Sequence, residues 1–563
     1  MTMYKGKPSL TIAAVLLGVT AFVQQPVAAQ KNTASGKPNI ILVMVDDLGF
    51  SDLGAYGSEI QTPNIDKLAF EGTRFMEFYN NSICAPTRAS LITGQYPHKA
   101  GVGYFNVNLG LPAYQGWLNK ESLTFAEVLK QSGYNTFATG KWHVGNDSLY
   151  WPNQRGFDQF YGFIGGASNY FDIAPYTEKV PPVELVENNR RFNLAPGKYL
   201  TNEIASHAIS YIDEQSKSNK PFFLYLAFNA PHWPLQALPE DIAKYKGKYE
   251  KGWDSLRSQR LAKQVALGIA NPQQAIAARD AEVPEWESYT YDEKQLWQRK
   301  MEVYAAMIDR VDQNIGLLLA ELKKTGQADN TLIVLISDNG AQGGFSSIGR
   351  RRPRNSGPIG TAGSYDYVEQ GWAQVSNTPF SKHKGNAHEG GISSPFIAWY
   401  PKKIKAGVIT KGTAHLIDLA PTFYDVAGAT YPENFNGVKT NPLAGVSLTN
   451  LLYTGTELNS QRPIFWERGG NRAVRKGKWK IVSTYPAKDW ELYDIETDRG
   501  ETTDLSKQNA DVVQDLVADY EIWAKANGVE SYDKLRPANQ GAAQAASANN
   551  NGQQGRSGGR RGE

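Results

Sequence analysis

Apolar runs that stop at a polar cluster recur along the chain. The first, residues 39–45 (NIILVMV), is rich in branched side chains and ends at Asp46-Asp47-Leu48-Gly49. Such a run predicts a strand that is buried on both faces of a parallel sheet. The other runs and the clusters that follow them are residues 134–139 before Gly140-Lys141-Trp142-His143, residues 222–228 before Asn229-Ala230-Pro231-His232, and residues 331–336 before Ser337-Asp338-Asn339-Gly340.

Helical patterns lie between these runs. Thr62 precedes a proline, which predicts a helix that begins at Pro63. Residues 300–324 carry apolar side chains at helical spacing and end before Gly326. Strands that alternate with helices predict an α/β fold, with a large, mainly parallel sheet flanked by helices. In such sheets ligands bind beyond the carboxyl ends of the strands.

The pattern changes after about residue 460. Short segments such as residues 479–483 and 490–494 are followed by a helical pattern over residues 510–527. They predict a small antiparallel sheet that carries a helix. We therefore expect a main α/β domain over residues 38–460 and a smaller C-terminal α+β domain over residues 461–530.

Three other segments have distinctive compositions. Residues 246–297 are charged and aromatic and are predicted to be a helical or irregular insertion near the entrance of the binding site. Residues 346–374 are rich in glycine and arginine, which predicts a long loop of the kind that forms lids. Their arginine cluster, residues 350–354, fits either attraction of an anionic substrate or a solvated loop. The tail, residues 538–563, has no apolar period, which predicts disorder.

The first thirty residues have the layout of a secretory signal peptide. Lys5 and Lys7 precede an apolar run over residues 10–23, and small residues follow it. This predicts a signal peptide over residues 1–29, cleaved after Ala29. The alternative is an anchor helix, but the run is shorter than the ~20 residues that cross a bilayer. We therefore expect a bacterial protein that is periplasmic or secreted, with no stable membrane anchor.

Length, net charge and cysteine count limit the possible domain organisation, partners and chemistry of the protein. A chain of 563 residues is longer than one hydrophobic core usually organises, which favours a large domain and a smaller one. A net charge of +3 is too small to indicate a nucleic-acid partner. The only cysteine is Cys84, which has no partner for an intramolecular disulfide even in an oxidising compartment. Cys84 is therefore either incidental or used chemically.

Two of the predicted strands end in paired oxygen ligands. Asp46 and Asp47 follow one strand, and Asp338 and Asn339 follow another. If the two strands are neighbours, four oxygen-bearing side chains meet at one point. Such a cluster suits a hard divalent cation, with calcium the first candidate and magnesium the second. The alternative is that each pair caps a helix or forms a turn.

Cys84 is followed by Pro86 and Arg88. On a helix, Arg88 would lie one turn from the cysteine side chain, which suggests a thiolate stabilised by Arg88 at a helix start. The alternative is a small buried apolar residue, as most lone cysteines are.

Together these segments resemble the type I sulfatases, which belong to the alkaline phosphatase superfamily. Cys84-Ala-Pro-Thr-Arg88 with Leu91-Ile-Thr-Gly94 is similar to their signature, in which the cysteine is oxidised to formylglycine. Residues 45–49 and 337–340 resemble the two metal motifs. Residues 140–145 resemble Gly-Lys-Trp-His-Leu-Gly, with valine in place of leucine, and residues 384–391 resemble the segment that supplies a further lysine to the sulfate. The resemblance covers residues 38–527 and is closest to bacterial arylsulfatases.

The resemblance implies a set of roles. Calcium would be held by the two acidic pairs, with the modified Cys84 also facing the ion, and a formylglycine-generating maturation enzyme would be a partner. Arg88 would hold the formylglycine, Lys141 and Lys384 would bind sulfate oxygens, and His143 and His232 would transfer protons. The implied metal ligands are Asp46, Asp47, Cys84, Asp338 and Asn339, and the implied catalytic residues are Cys84, Arg88, Lys141, His143, His232 and Lys384.

Physical reasoning agrees with the implied reaction, hydrolysis of a sulfate monoester of a small molecule or a saccharide, most simply an aryl sulfate. Sulfate oxygens need cations, and sulfur needs an activated oxygen nucleophile. His232, assisted by Lys384, is the candidate acid for the leaving group, and His143 the candidate base for release of sulfate. The alternatives are a phosphate or phosphonate ester hydrolase and an inactive binding protein. His98, His207, His383 and His415 are expected to be structural, and His388 either lines the pocket or is structural.

Overall fold

The computed structural model describes residues 1–3, 6, 36–174, 183–344 and 357–537. The predicted signal peptide, apart from residues 1–3 and 6, lies outside the described residues, as do the arginine cluster at 350–354 and the tail from residue 538. None of the described helices combines the length and the apolar composition needed to cross a bilayer.

The strands of the described chain are β1 (Asn39–Val45), β2 (Thr73–Phe75), β3 (Phe78–Tyr79), β4 (Asn135–Lys141), β5 (Gln159–Phe163), β6 (Leu185–Glu187), β7 (Arg190–Phe192), β8 (Phe222–Ala227), β9 (Thr331–Ser337), β10 (Phe396–Trp399), β11 (Val408–Thr410), β12 (Ala414–His415), β13 (Asn434–Phe435), β14 (Val438–Lys439), β15 (Ile464–Arg468), β16 (Asn471–Lys476), β17 (Trp479–Ser483) and β18 (Glu491–Asp494). Each of the four apolar runs of the sequence is a strand, namely β1, β4, β8 and β9.

The helices are α1 (Pro63–Phe70), α2 (Cys84–Thr93), α3 (Pro97–Ala100), α4 (Phe125–Gln131), α5 (Leu200–Gln215), α6 (Pro239–Ala243), α7 (Gly252–Ala266), α8 (Tyr291–Lys324), α9 (Glu369–Ser376), α10 (Glu389–Ile392), α11 (Leu419–Ala427), α12 (Thr449–Thr454) and α13 (Ala510–Asn527). The predicted helices at residues 63 and 510–527 are confirmed.

Ten strands form one mixed sheet in the order β11-β2-β10-β9-β1-β8-β4-β5-β6-β7. The central strands β9, β1, β8, β4 and β5 are mutually parallel, and the antiparallel pairings lie toward the two edges. Side chains of β1 alternate between two apolar cores: Ile41 and Val43 pack with α1, α5 and α8, whereas Ile40 and Leu42 pack with α2, α4 and α11. The central strands are apolar throughout because both faces are covered.

The C-terminal segment forms the predicted antiparallel sheet, with strand order β15-β16-β17-β18. Helix α13 packs on it, and the rings of Phe465 and Trp523 stack with centroids 5.1 Å apart. Val474 and Ile481 of this sheet belong to the same apolar core as α2 and α4. The sheet is therefore packed directly against the main layer.

Two predicted boundaries are wrong. The long helix begins at Tyr291 rather than at residue 300, because Thr290 and Glu293 form a capping box. The predicted loop over residues 346–374 includes the start of helix α9, whose Trp372 and Val375 are buried. Trp372 packs edge-on against Trp253, with ring centroids 5.5 Å apart, and this packing outweighs the loop-forming composition.

Candidate active site

The carboxyl ends of β1 and β9 bring the two acidic pairs together. These strands are parallel neighbours, and Val45 lies opposite Ser337 at their ends. The backbone N–H of Asp47 donates to Asp338 Oδ1 over 3.1 Å, and Asn339 Nδ2 donates to Asp47 Oδ1 over 2.6 Å. The four predicted oxygen ligands are therefore adjacent, as expected for neighbouring strands.

Buried oxygens without partners mark the centre of this cluster. Asp46 Oδ1, Asp47 Oδ2 and Asn339 Oδ1 have no hydrogen-bond partner. Asp46, Asp47 and His232 each offer a ligand atom, and these atoms lie within 4.8 Å of one another. Unpaired buried carboxylate oxygens are costly unless a cation compensates them. The residues therefore fit a hard divalent cation, which prefers carboxylate and amide oxygens. The sequence did not predict the proximity of His232 to these oxygens.

Cationic side chains surround the acidic cluster. Lys141 Nζ donates to Asp46 Oδ2 over 2.7 Å, and Lys384 Nζ donates to Asp47 Oδ1 over 2.5 Å. Arg88 Nη2 donates to Asp338 Oδ2 over 2.9 Å. Burial by itself lowers the pKa of Lys384, but the charge of Asp47 outweighs it and raises that pKa above its usual value. Lys384 therefore remains charged, so the site can present fixed positive charge to an anion.

Cys84 is the first residue of α2 and is 4% exposed. Pro86 lies in the first turn of this helix, where the missing N–H of a proline costs no helical bond. Arg88 is one turn further on, and its Nη1 donates to the carbonyl of Lys141 and to the Tyr225 hydroxyl. The segment of Lys384 also approaches this helix start, because the N–H of Gly385 donates to the carbonyl of Ser82 over 2.8 Å. The cysteine therefore lies at the edge of the cationic cluster.

Both predicted catalytic histidines are buried in the same region. Burial lowers the pKa of His232 to about 3, against an opposing effect of Asp47. Its Nδ1 lies 2.7 Å from the carbonyl of Trp233, and its Nε2 lies 3.7 Å from Asp47 Oδ2. Burial, followed by the charge of Lys141, holds the pKa of His143 well below its usual value. Burial therefore favours the neutral form of both imidazoles, and Asp47 opposes it at His232.

His143 is held in a specific backbone conformation. Its φ is 61°, and its N–H donates to the carbonyl of Ile164 over 3.0 Å. A Cβ atom on Gly166 would lie 2.5 Å from His143 Nε2. The ring therefore needs a glycine beside it, and the sequence alone did not indicate this contact.

Two further side chains connect the site to the surrounding fold. The Tyr304 hydroxyl of α8 donates to the carbonyl of Asp47 over 3.0 Å and to Asp52 Oδ2 over 2.8 Å. Tyr225 of β8 contacts Arg88. Sequence reasoning missed both, although each is a polar residue within an apolar pattern, and such residues usually find a buried partner.

A buried ion cluster ties the loop of Lys384 to the C-terminal sheet. Glu389 accepts from Lys480 over 2.9 Å and from Arg499 over 3.0 Å. Lys480 also donates to Glu501 over 2.8 Å, and Glu501 accepts the N–H of Glu389. On the other side of the loop, the N–H of Gly385 donates to the carbonyl of Ser82, two residues before Cys84. The cluster therefore fixes the segment that carries Lys384 next to the segment that carries Cys84.

The remaining histidines make contacts outside the acidic cluster. His98 Nε2 lies 2.8 Å from Glu467 Oε2, and the His207 ring stacks on Tyr161. His388 Nε2 lies 3.2 Å from Glu491 Oε2 of β18, so this side chain points toward the C-terminal sheet. His383 and His415 are both buried, with hydrogen bonds of their own to the backbone.

The fold and the site define a class of hydrolase, and comparison with known proteins identifies it. The family model described as Sulfatase matches residues 38–429, and the model of the C-terminal region of N-sulphoglucosamine sulphohydrolase matches residues 382–523. The chain belongs to the sulfatase family, and it is an enzyme that hydrolyses sulfate esters.

Individual relatives support this assignment. An uncharacterized sulfatase of Schizosaccharomyces pombe is 35% identical, over 89% of this chain and 96% of that protein. The arylsulfatase of Klebsiella aerogenes is 34% identical, over 73% of this chain and 91% of that protein. Among solved structures, the fold is similar to the crystal structure of Ps i-CgsB in complex with k-i-k-neocarrahexaose, with a TM-score of 0.66. The two sequences are 30% identical, and the match covers 88% of this chain and 99% of that one.

Proposed function

We propose that this sulfatase is calcium-dependent and uses a formylglycine made from Cys84 to hydrolyse sulfate monoesters, aryl sulfates among them. The observation that supports this most is the position of Cys84. It begins a buried helix beside a cluster that contains two aspartates with unpartnered oxygens and three fixed cations. A core thiol has no need of such surroundings, whereas an anionic substrate and a metal do.

In this proposal Asp46, Asp47, Asp338 and Asn339 hold the calcium ion, with residue 84 facing it. When bound there, the ion would supply Lewis-acid polarisation of a sulfate oxygen and charge neutralisation. Magnesium is the second candidate, but it demands a more regular octahedral geometry than calcium does. Because Lys141 and Lys384 contact carboxylates of this cluster, both can also reach oxygens of an anion bound beside it.

The remaining residues bind the ester and move protons. Oxidised Cys84 supplies a hydrated aldehyde, whose one hydroxyl is the nucleophile and whose other hydroxyl allows sulfate to be released. Arg88 orients this residue, and Lys141 and Lys384 bind sulfate oxygens. An anionic ester bound beside His232, together with Asp47, would favour the protonated imidazole, so that His232, assisted by Lys384, gives a proton to the leaving oxygen. His143 accepts the proton when sulfate leaves. Burial of these groups excludes bulk water from the reaction.

We propose aryl sulfates as substrates because the similar Klebsiella aerogenes protein is named an arylsulfatase. Sulfated saccharides are a second candidate, because the structural neighbour at 30% identity was solved with a neocarrahexaose. The two are compatible, since an aryl ester needs only the catalytic centre whereas a saccharide ester also needs contacts for its rings. A phosphonate ester is the competing substrate, because it also presents a tetrahedral oxyanion.

We further propose that residues 1–29 direct export to the periplasm or the medium, and that a formylglycine-generating enzyme is the partner that matures Cys84. Residues 38–460 would be the catalytic domain and residues 461–530 the small C-terminal domain. Support for export comes from the sequence pattern of residues 1–30.

Mass spectrometry of the peptide that contains Cys84, from protein made with and without the maturation enzyme, tests the proposal. We expect the cysteine to be converted to formylglycine only with that enzyme, and turnover of 4-nitrophenyl sulfate to rise with the converted fraction. Full activity in protein with an unmodified thiol would contradict it. A preference for the matched phenylphosphonate ester over the sulfate would instead overturn the substrate assignment.

A further inference from the structure

A surface pocket borders the segment that carries His143. It encloses about 320 Å³ and is lined by Asn106, Asn108, Gln115, Gly116, Trp117, Asn146, Asp147, Leu149 and Tyr150. The rings of Trp117 and Tyr150 stack with centroids 5.0 Å apart and an angle of 14° between their planes. Both rings are partly exposed, so they form an aromatic wall that a ligand can reach.

The pocket lies close to the proposed reaction centre. A Cβ atom on Gly145 would lie 2.6 Å from Tyr150 Cβ and 3.3 Å from Trp117 Cβ. Gly145 therefore lies directly under the aromatic wall. Gly145 lies two positions after His143, and two positions span at most about 7 Å. Trp142 Nε1 also donates to the carbonyl of Tyr150, which fixes the wall to the same segment. Part of the pocket lining and His143 are therefore carried by one short segment of the chain, residues 142–150.

The polar groups of the pocket are mostly amides. Asn106, Asn108, Gln115 and Asn146 each offer both a donor and an acceptor, as a hydroxyl group does. Asn106 Nδ2 already donates to Asn146 Oδ1 over 2.7 Å, which leaves further positions on both amides. Lysine and arginine are absent from the described residues that line the pocket, so it does not suit an anion.

Other ligand classes fit this lining less well. A purely apolar or aryl group would remove water from the donor and acceptor positions that these amides do not use within the protein, which costs free energy for each group that is desolvated. A cation would have one carboxylate, Asp147, whose Oδ1 already accepts the N–H of Leu149. A saccharide ring has C–H groups for the negative face of an aromatic ring and hydroxyl groups for the amides.

We propose that this pocket binds a neutral saccharide ring of the alcohol part of the sulfate ester, so that the natural substrate is a sulfated oligosaccharide or polysaccharide. The inference rests on the proposed sulfatase reaction, because the ring is bound as part of that ester. Trp117 and Tyr150 supply the stacking surface, and Asn146 supplies hydrogen bonds. The aryl sulfate reaction does not depend on it.

Steady-state kinetics of the matured full-length protein test this. The probes are 4-nitrophenyl sulfate and oligosaccharides of two to six rings from sulfated galactans, fucans and glycosaminoglycans. We expect turnover of an oligosaccharide, and Trp117→Ala should lower the ratio of oligosaccharide to aryl sulfate kcat/KM by about tenfold or more, mainly through KM. Asn146→Ala should lower the same ratio by a smaller factor. The control is Trp479→Ala, a partly exposed tryptophan of β17 outside the pocket, which should change neither reaction.

Two results would overturn the inference while the proposed sulfatase reaction stands. One is an unchanged ratio in Trp117→Ala, in protein whose melting temperature matches that of the parent. The other is turnover of 4-nitrophenyl sulfate with none of the oligosaccharides hydrolysed. Failure to hydrolyse either class would count against the proposed function itself, and the saccharide inference would fall with it.

Discussion

Lys480 and Glu389 form an ion pair of 2.9 Å in which neither side chain reaches solvent. The pair joins β17 of the C-terminal sheet to the start of α10, five residues after Lys384. Removal of one partner leaves an uncompensated charge in the interior, so Lys480→Met should lower the free energy of unfolding by about 3–5 kcal/mol. Urea unfolding measures this change.

The matched control for that variant is Lys478→Met, two residues away. Lys478 pairs with Asp494 over 2.8 Å, but its side chain is 44% exposed. Exposed pairs contribute about 0–1 kcal/mol, so the control should be close to the parent protein. Equal losses in the two variants would show that the buried cluster has no special role.

The same cluster predicts a pH dependence of stability. Burial alone would raise the pKa of Glu389, but the charges of Lys480 and Arg499 outweigh it and hold the pKa below the usual 4.5. A depressed pKa means that the stabilisation is present above about pH 5 and is lost as the pH falls below it. The difference in unfolding free energy between the parent and Glu389→Gln should therefore shrink from pH 7 to pH 3. The control is Glu496→Gln, an exposed site, whose difference should stay near zero. A difference for Glu389→Gln that does not vary with pH would rule out this linkage.

Cys84→Ala should fold and lose turnover, because the proposed nucleophile is derived from this side chain. Its loss from a well-packed helix start should change the free energy of unfolding by only about 1 kcal/mol. Circular dichroism and thermal melting check the fold, and 4-nitrophenyl sulfate checks activity. Substantial residual turnover would refute the formylglycine role.

Removal of divalent metal should abolish activity and lower the melting temperature together. A ligand that binds only the folded protein stabilises it by about 2.7 kcal/mol at 100 times its Kd. We expect calcium to restore both properties at lower concentration than magnesium, and Asp46→Ala to lose the calcium effect on melting. Elemental analysis of the purified enzyme is the direct check, and an active protein without divalent metal would contradict the proposed site.

His232→Gln should impair phenyl sulfate hydrolysis more than that of 4-nitrophenyl sulfate. General acid catalysis contributes about 10²–10⁴-fold, and a good leaving group needs less of it. A series of phenyl sulfates with leaving groups of different pKa measures the effect, and His207→Gln is the control because His207 stacks on Tyr161 away from the cluster. Equal losses across the series would argue against a general acid.

The sequence predicted the sheet and its central cluster well for a physical reason. Strands buried on both faces must be apolar throughout, so residues 39–45 and 331–336 form continuous apolar runs in the sequence. The polar residues that end these runs therefore mark the carboxyl ends of the strands. The start of α8 was missed because its first turns are exposed and carry no apolar period. The capping box of Thr290 and Glu293 was a readable signal for it.

Other features could not be predicted from a local pattern. Lys480 and Glu389 are separated by 91 positions, and neither residue type indicates burial by itself. The start of α9 depends on Trp372 packing against Trp253, which only the folded chain supplies. The approach of His232 to Asp47 depends on the loop after β8, whose course does not follow from composition.

The burial of Cys84 also limits when another enzyme can reach its side chain. The folded chain exposes only 4% of this residue, so the proposed maturation enzyme would need to reach it before the chain has folded. Lys480, whose pairing with Glu389 helps to fix the Lys384 segment, lies 396 positions after Cys84, and a ribosome that adds about 5–20 residues per second makes that stretch in about 20–80 s. In the proposed maturation, the active fraction of the enzyme would therefore depend on how long the chain stays unfolded during synthesis and export.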